Sequence, residues 1–157
     1  MITIISGDID SGKTRYLKEH YKQESKGDGF ISLKHFKEGN CIGYDLHHLK
    51  SGETVALIRL KSVLPGDWDA CSEIGRFSFS EKGMLLAKSI LKDCKEGPVY
   101  IDEIGPIEIW QKQGFYKELK ELIEKDRELF LTLRPTLIKE FHDEFGLGNN
   151  TKIITLK

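Results

Sequence analysis

This chain has no apolar run long enough to cross a membrane. "MITIIS" and "VALIRL" are its longest apolar-tending stretches, far short of the ~20 residues a spanning helix needs. No basic, apolar and small-residue leader pattern precedes the first, so the expected location is cytoplasmic and no membrane partner is expected. Cysteine is scarce: Cys41, Cys71 and Cys94 are odd in number and widely spaced, with no C-x-x-C. That pattern reads as reduced thiols and argues against a zinc knuckle. An excess of charge is also missing, with 24 basic residues against 25 acidic. A chain so balanced has no overall field to recruit nucleic acid, so none is expected as a partner. There is no repeat, no low-complexity segment and no linker, and 157 residues suit one domain, residues 1–157, with room for a proper core.

What is present begins at the N-terminus. "ITIIS" is a β-branched strand that runs into Gly7-Asp8-Ile9-Asp10-Ser11-Gly12-Lys13-Thr14, after which Tyr16, Leu17, His20 and Tyr21 recur at helical spacing. The loop fits G-x-x-x-x-G-K-[ST], which matches by chance in a chain of this length at odds of order one in two hundred. Each residue type has a reason: Gly7 and Gly12 bring backbone N–H groups to phosphates, Lys13 reaches the β- and γ-phosphates, and Thr14 offers a hydroxyl to Mg²⁺. Residues Gly7 through Thr14 are therefore the candidate nucleotide-binding set. Arg15, one position on, faces either the nucleotide or solvent. Asp8 and Asp10 are odd companions for a polyanion. Their side chains are expected to point off the phosphates at a modest cost in affinity, and pairing with Arg134 or Arg76 would give one of them a positioning role.

Further along, "FISL" (Phe30 to Leu33) reads as a strand, and "CIGYDLHHL" with "ETVALIRL" as a β-hairpin about Lys50-Ser51-Gly52, inserted beside the core. "LPGDWDACSEIG" reads as a loop, "RFSFS" as a short strand, and Ser80 as the N-cap of a helix from about Glu81 to Asp93. "PVYID" and "LFLTL" are buried strands flanking a helix marked by Phe115, Leu119, Leu122 and Ile123, and "KIITL" closes the chain. Short buried strands alternating with helices predict an α/β fold with a mostly parallel sheet covered on both faces.

The second chemical element is Val99-Tyr100-Ile101-Asp102-Glu103. Alone it is a weak signal. Together with the upstream loop it is a strong one, because a parallel sheet carries both to its carboxyl edge, where ligands bind. Asp102 is the candidate metal ligand with Thr14, and Glu103 the candidate base for an attacking water. Arg134 follows "LFLTL" at the same edge and is the candidate that neutralises charge on the phosphates. Arg59 and Arg76 read as surface or sheet-edge salt-bridge partners, Trp68, Trp110, Phe77 and Phe79 as core or edge cover, and His47-His48 as solvent-exposed.

Taken in order, Gly7 to Thr14, Gly43-Tyr44-Asp45-Leu46, Gly75-Arg76-Phe77 and "DEIGPIE" (Asp102 to Glu108) resemble the small P-loop nucleoside-triphosphatases of thermophilic and other prokaryotes. Their animal relative is called cancer-related nucleoside-triphosphatase. The likeness covers nearly the whole chain, and "DEIGPIE" is its most specific piece. The resemblance implies a three-layer P-loop NTPase core of RecA-like type, and Mg²⁺-dependent hydrolysis of ATP, GTP and other nucleoside triphosphates to the diphosphate. It also implies phosphate and metal held by Gly7, Gly12, Lys13 and Thr14, with Asp102 supporting the metal and Glu103 as base. The family often carries basic residues before its Gly-Tyr/Phe-Asp segment; this chain has Lys37 and then Cys41 there, and its two loop aspartates are unusual for the family.

Three readings stay open on the residues: a hydrolase, a nucleotide or nucleoside kinase using the same loop, and a nucleotide-dependent switch with slow hydrolysis. No arginine-rich lid supports the kinase. Preferred base, acceptor and oligomeric state are not written in the sequence.

Overall fold

A computed structural model describes residues 1–157. Strand β1 (Ile2–Ser6) leads through the glycine loop into helix α1 (Lys13–Glu24), as the run of β-branched residues and the helical spacing predict. Then come β2 (Asp28–Lys37), β3 (Asn40–His48), β4 (Thr54–Leu60), β5 (Ala70–Ile74) and β6 (Phe77–Ser80). Helix α2 (Glu81–Asp93) and strand β7 (Val99–Ile101) precede α3 (Pro106–Ile109) and α4 (Tyr116–Glu124), and β8 (Leu129–Leu133), α5 (Ile138–Phe145) and β9 (Thr151–Thr155) complete the chain.

All nine strands form one sheet in the order β5-β6-β4-β3-β2-β7-β8-β1-β9. From β2 through β7, β8 and β1 to β9 every ladder is parallel, and from β2 outward to β5 every ladder is antiparallel. The parallel half is the expected core. The hairpin of β3 and β4 lies beside that core as read, and it does so by continuing the same sheet, because β2 runs on to Lys37 and pairs with β3 along its length. Strand β5 falls inside the stretch that reads as a loop. It pairs only with β6 and is mostly exposed, so "ACSEI" carries no apolar alternation. Helix α5, not among the expected elements, buries Phe141 and half-buries Ile138 and Phe145, an i, i+3, i+7 stripe only eight residues long.

The pleat sorts the parallel strands onto two faces. Ile5, Ile31, Tyr100 and Phe130 pack with Leu17 of α1 on one side. Ile4, Phe30, Ile101 and Leu131 face the larger core, where Met84, Ala87 and Leu91 of α2 meet Leu119 and Leu122 of α4 and Phe141 of α5. This is a three-layer α/β sandwich, since alternate residues of a strand buried on both faces must each meet a helix. Ser80 caps α2 as expected, its hydroxyl accepting from the Gly83 N–H at 3.2 Å. No helix is long and apolar enough to cross a membrane.

Candidate active site

The glycine loop emerges from β1 at the carboxyl edge and closes on α1 through Gly12, whose φ of +95° favours glycine. Gly7 is required for a different reason: a Cβ there would run into Ser11 Oγ and come within 3.0 Å of the Leu156 carbonyl oxygen. Helix α1 has no acidic residue in its first turn, so its exposed N–H groups keep their full attraction for an anion. Lys13 is buried, and its ammonium donates to the carbonyls of Gly7 (2.8 Å) and Asp8 (2.9 Å). The loop's own backbone thus holds the cation over the space a phosphate would enter.

Asp102 lies just past β7, 1 % exposed, with three donors converging on it. Thr14 Oγ1 donates to its Oδ2 at 2.7 Å, the Ser32 N–H to the same oxygen at 3.0 Å, and Thr132 Oγ1 to Oδ1 at 2.6 Å. Burial pushes this carboxyl above its usual range, while those three hydrogen bonds and the nearby Lys13 charge pull against it. The Thr14 bond ties the start of α1 to the end of β7 across 88 residues of sequence, which is the juxtaposition that the two separated motifs predict.

Glu103 is half-buried beside it, with φ at +60°, a left-handed backbone rare for any residue but glycine. Its N–H donates to Thr132 Oγ1 at 2.7 Å, an anchor that helps hold the strained turn. Burial raises the Glu103 carboxyl and the Asp102 charge raises it further; Lys13 and Arg134 act in the opposite sense. Thr14, Glu103, Arg134 and Lys13 share a cleft of about 400 Å³ with Ile9, Asp10, Gly12 and Arg15. Of the other candidates, Gly7, Asp8, Ser11 and Asp102 do not line the cleft, and Asp102 is joined to its walls through Thr14 and Ser32. Arg15 is exposed but borders the cleft, and Arg134 is exposed and makes no ion pair.

Ser32, Lys34, Tyr44 and Thr132 belong to the site and were not read as candidates. Ser32 and Lys34 sit two apart on β2, and Thr132 is the single polar residue of "LFLTL", a threonine where the strand is otherwise apolar. The cleft's basic residue from this segment is Lys34, not Lys37. Neither Arg134 nor Arg76 pairs with the loop aspartates: Lys34 pairs with Asp10, and Arg76 lies over the Phe77 ring at 5.5 Å. Arg59 bonds Asp45 at 2.7 Å, a salt bridge as read, but it is buried on β4 between β3 and β6 rather than at the surface or a sheet edge. His48 is not simply solvated, since its Nε2 meets Asp28 Oδ2 at 2.6 Å in a part-buried pair. Trp110 is 60 % exposed, whereas Phe77 and Phe79 line a second, apolar cavity of about 260 Å³ that shares Ser32, Tyr44, Glu103 and Arg134 with the cleft.

Two solved structures share this architecture. A human cancer-related nucleoside triphosphatase is 21% identical, aligning over 99% of this chain and 88% of its own with a TM-score of 0.69. THEP1 from the hyperthermophile Aquifex aeolicus is 18% identical, over 100% of this chain and 90% of its own, with a TM-score of 0.71. At such identities the likeness establishes the fold. No curated protein sequence matches the chain. The family model described as NTPase matches residues 2–157, and on that match, spanning every element from β1 to β9, the chain belongs to the NTPase family.

Proposed function

We propose that this protein hydrolyses nucleoside triphosphates, ATP and GTP among them, to the diphosphate and phosphate with Mg²⁺ as cofactor. The observation that carries the reading is the Thr14–Asp102 hydrogen bond of 2.7 Å, with Lys13, Glu103 and Arg134 around the same cleft. A hydroxyl and a carboxylate are hard oxygen donors, and no group of three or more His, Cys, Asp or Glu gathers to make an all-protein cage. That suits Mg²⁺, which is usually held by one or two protein oxygens together with substrate phosphates. Thr14 and Asp102 would hold it, and it would supply neutralisation of phosphate charge.

The remaining chemistry belongs to the chain. Lys13 exchanges the Gly7 and Asp8 carbonyls for phosphate oxygens, and the loop and α1 N–H groups complete the cradle. Glu103 takes a proton from water as its oxygen forms a bond to the γ-phosphorus and the bond to the diphosphate oxygen breaks. Arg134, unpaired at the rim, neutralises charge on the transferring group. Glu103→Gln should abolish turnover while nucleotide binding persists; a variant that hydrolyses at the parent rate removes Glu103 from the mechanism.

The apolar cavity next to Glu103 supports a second reading, phosphoryl transfer to a bound hydroxyl compound. Arg134 is the only arginine on its wall, so the cavity offers no cluster to clamp a second polyanion. Hydrolysis is supported if diphosphate and inorganic phosphate appear in equal amounts without an acceptor.

A further inference from the structure

Lys34 has no part in the chemistry above, yet it borders the same cleft as Lys13 and Thr14. On β2, residues two apart share a face, so Lys34 stands on the side of Ser32, whose N–H holds Asp102. Its ammonium is bound to Asp10 of the glycine loop, whose own backbone is left-handed at φ +64°. The pair therefore spans the mouth of the cleft, with side chains 37% and 66% exposed. An ion pair this open contributes little to stability, typically 0–1 kcal/mol, so it is easily exchanged. A terminal phosphate placed over the loop offers the ammonium a stronger partner, because a multiply charged oxyanion gives shorter, charge-assisted bonds.

We propose that Lys34 is a further phosphate-binding residue, held by Asp10 in the empty site and transferred to the terminal phosphate of a bound nucleoside triphosphate. The inference rests on the proposed nucleotide reading. It gives the loop carboxylate a role: Asp10 keeps the second lysine at the entrance, next to Lys13, until a phosphate competes for it. It also makes the cleft selective for triphosphate over diphosphate, since only the triphosphate carries the group that Lys34 would reach.

The test is equilibrium binding of a non-hydrolysable ATP analogue and of ADP to the parent, Lys34→Met, Lys34→Arg, Asp10→Asn and the Asp10→Asn/Lys34→Met double variant. Lys34→Met should weaken the triphosphate analogue about tenfold, the scale of one hydrogen bond to a charged group, and leave ADP nearly unchanged. Lys34→Arg should restore most of the loss. Asp10→Asn should tighten the triphosphate analogue two- to threefold (about 0.4–0.7 kcal/mol), and by less in the Lys34→Met background, because there no lysine is left to release. Equal tightening in both backgrounds would mean that Asp10 only repels phosphate through space, and overturns the exchange. Equal weakening of ADP and the triphosphate analogue by Lys34→Met overturns the terminal-phosphate contact. A parent chain that binds neither nucleotide overturns the nucleotide reading itself, whereas normal parent binding indifferent to Lys34 overturns this inference alone.

Discussion

Thr132 carries two duties with one hydroxyl: it donates to Asp102 Oδ1 at 2.6 Å and accepts the Glu103 N–H at 2.7 Å. Thr132→Val keeps the shape and removes the hydroxyl, leaving a buried carboxylate oxygen and a strained N–H short of partners. The expected cost is about 1–3 kcal/mol of stability, read by denaturant unfolding, and a fall in turnover of about tenfold or more as Glu103 loses its anchor. Valine tolerated without either change would show that the hydroxyl is incidental. Glu103 gives a pH prediction. Burial and the Asp102 charge raise its carboxyl above the ordinary range, so a base at this position loses activity on the acid side at a higher pH than an ordinary glutamate would. The acid limb of the turnover profile should lie above the usual glutamate pKa and vanish in Glu103→Gln.

At the scale of elements, the short helix α3 brings a buried carboxyl from the "DEIGPIE" segment into the core. Glu108 is 3% exposed, its Oε1 accepts the Gly105 N–H at 3.3 Å, and its Oε2 has no partner. Burial pushes its pKa to about 8 from an ordinary 4.5, against the opposing pull of the backbone amides of Gly105, Glu108 and Phe115. The folded state therefore keeps a proton that the unfolded chain has released, so the contribution is intact below about pH 4.5 and is lost as pH rises to about 8. Glu108→Gln should remove that loss, stabilising the chain at pH 8 relative to the parent by an amount of order a few kcal/mol, with little change at pH 4. Unfolding curves at the two pH values check it, and an unchanged pH slope would show that Glu108 titrates normally. The elements also show what a sequence makes legible. The loop, α1, α2 with its Ser80 cap, β7 and β8 are written in local residue types at local spacings. Lys34, Ser32 and Thr132 reach the site through strand register, with Thr132 meeting Asp102 from 30 residues away and Ser32 from 70. No pattern within β2 or β8 announces such a pairing, apart from the lone threonine in an apolar strand.

For the whole molecule, the division of the sheet into parallel and antiparallel halves places the site at their junction. Strand β2 belongs to both halves, pairing in parallel with β7 and antiparallel with β3, so it carries Ser32 and Lys34 to the edge where Asp102 and the glycine loop meet. The large core joins β7 and β8 to Leu46 of β3 and Leu57 of β4 under α2 and α4, and the second cavity opens at its margin, lined from both halves of the sheet. Legibility fails at β5 for a physical reason: that strand is held by ladder hydrogen bonds to β6 and by partial cover rather than by an alternating apolar face. The central claim is that one cleft joins Lys13, Thr14, Asp102 and Glu103 into a Mg²⁺-dependent triphosphate hydrolase. Its most direct test is phosphate release from ATP, GTP, CTP and UTP with Mg²⁺ and with chelator, on the parent and on Lys13→Ala. The account predicts diphosphate and phosphate in equal amounts with Mg²⁺, and turnover reduced at least a hundredfold by chelator or by Lys13→Ala; release that is indifferent to both would contradict it.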